Sequence, residues 1–166
     1  INGVVVAGLA FLPGLFLKRS DLIEALLVAV YLGHNLLFRK FHPHFDLALY
    51  GLHLIPVNCG VVFLRALVTL RRTEVPVTPF RWTAFVFSAL SLLLTMGNPH
   101  LAWQGFLSYG VLALGVSLVL YEGRYLHVGG VLLLLGAEIF FHDSGVQRLE
   151  LFLAPMATYL FAMGYA

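Results

Sequence analysis

Seven apolar runs follow one another along this chain, and no other feature narrows its possible folds as far. They cover Ile1–Leu17, Leu22–Phe38, Leu47–Leu64, Trp82–Met96, Trp103–Tyr121, Tyr125–Phe141 and Leu151 to the end. A helix needs roughly 20 apolar residues, or about 17 at the short end, to cross the hydrocarbon layer. Only helices or a closed barrel satisfy every backbone group in lipid. A barrel demands strict alternation of apolar and polar residues, and "VLLLLGAEIFF" is apolar at consecutive positions. The expected fold is an all-α integral membrane protein: a single domain over residues 1–166, made of about seven transmembrane helices with short loops.

Composition agrees. Of 166 residues, 60% are hydrophobic and 11% charged, against about 25% charged in a soluble domain. The net charge of +2 is too small, and the ten Lys and Arg residues too scattered, to point to nucleic acid. Cys59 is the single cysteine, so no internal disulfide forms, and it reads as a small buried hydrophobe. The first run resembles the apolar part of a signal peptide, but no basic region precedes it and no small-residue cleavage pattern follows, so it reads as a span. The chain opens without a methionine and closes inside an apolar run, which leads us to expect a longer parent chain.

The connections are three to nine residues long except Arg65–Arg81, which carries Arg65, Arg71 and Arg72 among apolar residues. That stretch either prolongs the third helix or lies along the interface, with Pro76 and Pro79 ending any helix and the arginines anchoring to headgroups. Short loops rich in Lys and Arg stay cytoplasmic. Loops one, three and five hold seven such residues, and loops two, four and six hold Arg39, Lys40 and Arg148. The odd-numbered loops are therefore expected in the cytoplasm, in a bacterial inner membrane. Trp82, Trp103, Tyr121 and Tyr125 end spans as belt aromatics do. Gly110, Gly115, Gly129, Gly130 and Gly136 promise close helix packing without a strict GxxxG dimer motif.

The titratable groups gather at the opposite, outer end. His34 and His53 lie on two antiparallel neighbours, about 6 to 9 Å below the same boundary at 1.5 Å per residue. His42, His44 and Asp46 occupy the bend between them, His100 ends loop four, and His142 and Asp143 open loop six. Glu138 and His142, four residues apart, point the same way and suit one metal ion. Ionisable groups within a span usually face a cavity or a partner. Three chemistries fit. Zinc on three of His34, His53, His100 and His142, with Glu138 or Asp143 as general base, makes a membrane-embedded hydrolase at the outer face. Haem or a chlorophyll-type pigment on His34 and His53 makes an electron-transfer or light-harvesting subunit. A proton relay through Glu138 lacks further carboxylates deep in a span. The competing reading is a polar bend, because the imidazole ring sits readily at an interface. Asn35 and Asn58 read as interhelical hydrogen-bonding residues.

Near the carboxyl end, "ELFLAPMATYLFAMGYA" resembles a motif of bacterial DUF2157-like multi-span membrane proteins of unknown function, at Glu150, Pro155, Ala157, Leu160 and Gly164. The resemblance covers about a tenth of the chain and implies a fold type. No complete catalytic motif or soluble domain is legible. The leading expectation is a structural or accessory subunit of a larger membrane assembly, in contact with the lipid bilayer and with other membrane subunits.

Overall fold

The computed structural model describes residues 19–44, 46–71, 74–146 and 149–164. Among them are six helices and no strand: α1 (Ser20–Phe41), α2 (Leu47–Leu70), α3 (Thr78–Thr95), α4 (Pro99–Leu120), α5 (Arg124–Asp143) and α6 (Leu149–Gly164). The expected first span, Ile1–Leu17, lies outside the described residues.

Local chemistry sets the helix ends. Asn98 caps α4 by accepting a hydrogen bond from the His100 backbone N–H at 3.1 Å, and Pro99 follows at the first helical position, where its missing N–H costs nothing. Pro79 likewise opens α3. α4 closes at Tyr121, the only described non-glycine residue with a left-handed backbone (φ 54°), before Glu122 and Gly123 turn the chain into α5. The helix after His42–Asp46 runs to Leu70, so the first of the two readings of Arg65–Arg81 holds for Arg65 to Leu70.

Four helices, α1, α2, α4 and α5, are long and apolar enough to cross a membrane. The expectation of seven spans is reduced accordingly. α3 begins with Thr78, Pro79, Arg81 and Thr83 among its first six residues, which dilutes its apolar character. α6 has 16 residues, about 24 Å at 1.5 Å per residue, short of a hydrocarbon core of about 30 Å.

The helices pack as a strip rather than a closed ring. α1 rests on α2 and α3, α4 rests on α2 and α3, α5 rests on α4, and α6 touches α5 alone among the described helices. Ile23, Leu27, Tyr31, Leu54, Val61, Phe80 and Ala84 form the main buried cluster, and the Tyr31 and Phe87 rings stack at 3.8 Å.

Glycine brings the helices close, as the sequence led us to expect. At Gly51 on α2, a Cβ would lie 2.6 Å from the Ser91 carbonyl oxygen of α3. At Gly110 on α4 it would lie 2.7 Å from Leu133 Cγ of α5 and 3.0 Å from that residue's backbone nitrogen. Both positions are interfaces within the chain.

The surface is inverted relative to a soluble globule. Leu118 is 72% exposed, with Leu36, Phe63, Leu93 and Val111 also turned outward, while Asn58, Arg65, Thr83, Ser91 and Thr95 are buried. Apolar surface turned to water would be costly at about 25 cal/mol per Å², and against lipid tails that cost disappears. This is the surface of a membrane protein.

Candidate functional site

Three groups of polar side chains stand out, at three heights in the bundle. The first is the histidine end. His34 on α1 is half-buried, and its Nε2 lies 3.0 Å from the His53 backbone oxygen on α2, donating to it. The acceptor sits beside the backbone loosened by Pro56, which has no N–H to offer the preceding turn. The two imidazole centroids are 6.1 Å apart, and Phe38 covers the His53 ring at 3.4 Å. His34 and His53 are thus neighbours, as their depth implied. For both rings to ligate haem or a pigment through Nε2, the His34 hydrogen bond would have to open.

His100 at the start of α4 meets Asp143 at the end of α5, with Nδ1 2.7 Å from Oδ1 and 2.9 Å from Oδ2. The imidazole is 78% exposed and the carboxylate 15%. Asp46 and Asn98 join loops two and four through a 3.5 Å hydrogen bond from the amide. His42 and His44 are exposed in the bend, and the Tyr50 hydroxyl donates to the His42 carbonyl at 3.3 Å. Glu138 is half-buried and His142 exposed on α5. The structure therefore brings His34 to His53 and His100 to Asp143. Among the described residues it gathers no group of three or more His, Cys, Asp or Glu side chains able to hold a metal ion.

The second group is a buried seam shared by α1, α2, α3 and α4. Asn58 is fully buried on α2. Its Oδ1 accepts from the Tyr31 hydroxyl of α1, and its Nδ2 donates to the Tyr109 hydroxyl of α4 at 2.6 Å. Ser88 and Ser91 of α3 stand beside Tyr109, and the Ser91 hydroxyl donates to the Gly51 carbonyl at 2.5 Å. One amide and a few hydroxyls thereby tie four helices together. The reading of Asn58 as an interhelical residue matches this geometry.

The third group corrects the sequence reading. Arg65 was expected to anchor to headgroups, yet it is 4% exposed. It forms an ion pair with Glu122, donates to the Tyr125 hydroxyl at 3.0 Å, and lies 5.2 Å from that ring's centroid. Glu122 also accepts from Arg124 Nε at 3.0 Å. The signal was present: Leu54, Asn58, Val61 and Arg65 are spaced by four, three and four residues, one inward stripe of a helix. All four are buried. A charged residue in an apolar run breaks the composition but not the period, and the period is what places Arg65 inside.

No family model, no curated protein and no solved structure matches the chain.

Proposed function

We propose that this chain is a structural or accessory subunit of a larger membrane assembly. One observation carries the reading: the buried side chains of Asn58 and Arg65 make contacts from helix to helix, Tyr31–Asn58–Tyr109 at mid-height and Arg65–Glu122 toward one end. Such groups hold a bundle in register, because in lipid the alternative to each contact is an unsatisfied polar group. The apolar outer surface suits lipid and neighbouring subunits alike. α6, attached through α5 alone among the described helices, gives the bundle a side for further helices to join.

In this reading the protein belongs to a bacterial inner membrane with its odd-numbered loops in the cytoplasm, and α1, α2, α4 and α5 are the helices that cross it. The likeness of the Glu150–Gly164 stretch to DUF2157-like proteins fits a multi-span fold of this kind.

The test is affinity purification from native membranes in mild detergent. A subunit brings down a distinct membrane protein in fixed ratio. A chain recovered alone under conditions that keep other membrane complexes intact would contradict the proposal.

A second reading, a metal-dependent hydrolase at the outer face, draws on the His100–Asp143 contact. A carboxylate on Nδ1 fixes an imidazole with Nε2 free, the orientation that metal-binding histidines use. It requires stoichiometric zinc that falls when His100 is changed to Ala. Unchanged zinc in that variant would remove it.

A further inference from the structure

α3 and α5 both pack on α4 but, among the described residues, do not touch each other. Between them lies a cavity of about 550 Å³, floored by α4 and walled by α3 and α5, with Val62 and Arg65 of α2 at its back. Its walls are apolar along most of their length, from Trp82 and Phe85 to Leu92 on α3 and from Val128 to Leu132 on α5. From Arg81 to Leu92 the groove follows α3 for about 16 Å at 1.5 Å per residue.

One end is different. Arg65, Arg81 and Arg124 all line it, and one carboxylate, Glu122, is shared by Arg65 and Arg124. Among the described residues Arg81 has no ion pair, and Arg65, though buried, keeps its Nε without a hydrogen-bond partner. That Nε is closed off from the groove, so Arg65 adds positive charge at this end while Arg81 and Arg124 carry the more exposed guanidinium groups there. The excess positive charge at the mouth and the apolar groove beneath it call for one amphiphile with a negative head. Basic pockets between transmembrane helices bind anionic lipid headgroups by this chemistry.

We propose that the groove holds one anionic phospholipid, its phosphate among Arg65, Arg81 and Arg124 and one acyl chain lying along α3, α4 and α5. The inference adds a ligand to the membrane reading and does not depend on the assembly role. Trp82 and Tyr125, which line the same mouth, sit at the depth where aromatic rings meet headgroups.

The experiment is titration of the full chain, delipidated in a neutral detergent, followed by native mass spectrometry. The probes are phosphatidylglycerol, phosphatidylcholine with the same acyl chains, diacylglycerol and inorganic phosphate. We expect one phosphatidylglycerol per chain, bound at least about fivefold more tightly than phosphatidylcholine, since each arginine near a lipid surface is worth about that factor. Arg81→Gln, at a half-buried position, should weaken phosphatidylglycerol about fivefold and leave diacylglycerol unchanged. Ala113→Phe, which fills the floor, should weaken every lipid while helix content is retained. Equal affinity for the two phospholipids, or phosphatidylglycerol binding untouched by Arg81→Gln, overturns the proposal. Inorganic phosphate binding as tightly as the lipid also overturns it and makes the mouth a phosphate site. If Ala113→Phe misfolds, Arg81→Gln decides alone. Flotation of the unaltered chain with native membranes checks the membrane reading separately.

Discussion

Asn58 has no accessible surface, so its amide must find its partners inside the protein, and it finds them on two other helices. Asn58→Leu leaves the Tyr31 and Tyr109 hydroxyls without their shared partner. Interhelical hydrogen bonds in membranes are worth roughly 0.6 to 1.7 kcal/mol each, so the variant should lose about 1–3 kcal/mol in a mixed-micelle unfolding titration. A neutral result would mean the seam contributes nothing to stability. Glu122→Gln should also destabilise the fold, because Arg65 then keeps a buried charge against a neutral amide. The cost should reach as much as ~3 kcal/mol, at the low end for buried pairs because Glu122 keeps 23% of its side-chain exposure. The same unfolding midpoint reads it. These two residues mark the limit of sequence reading. Helical spacing places Asn58 and Arg65 on one stripe, but Glu122 and Tyr125 lie beyond the next two helices in the chain. No local pattern joins them to Arg65.

The helices themselves were largely legible, because apolar periodicity and proline positions act locally. The runs starting at Leu22, Leu47, Trp103 and Tyr125 correspond to α1, α2, α4 and α5, each somewhat longer in the structure. α2 outruns its apolar stretch because Arg65 interrupts the composition without interrupting the helix. Which helices touch was not legible: depth along a helix follows from residue count, whereas direction around the bundle depends on packing. For that reason His34 and His53 were placed together correctly, while His100 proved to meet Asp143 and not the other histidines. Glycine marks the closest helix pairs and supplies a paired test. Gly51→Ala sets a methyl 2.6 Å from a backbone oxygen of α3, and overpacking of this kind costs typically about 1–3 kcal/mol. Gly60→Ala on the same helix meets nothing within 4 Å and should be neutral or gain up to about 1 kcal/mol from helix propensity. Equal responses of the two variants would contradict the close α2–α3 approach.

The described helices form an open strip, apolar outside and with polar contacts at its seams, with six of the seven histidines toward one end and the Arg65–Glu122–Arg124 group, with His127 near it, toward the other. That polarity requires α4 to cross the bilayer, with the Gly97–Asn98 turn on one side and the Glu122–Gly123 turn on the opposite side. Labelling single cysteines in sealed native vesicles with a membrane-impermeant thiol reagent measures this directly. Cys59 is changed to Ser first, and Gly97→Cys or Gly123→Cys is then introduced, since neither position meets a close neighbour. We expect Gly123→Cys to react only from the cytoplasmic face and Gly97→Cys only from the outer face. Reaction of both from the same face would contradict a membrane-crossing α4, and with it the bundle described above.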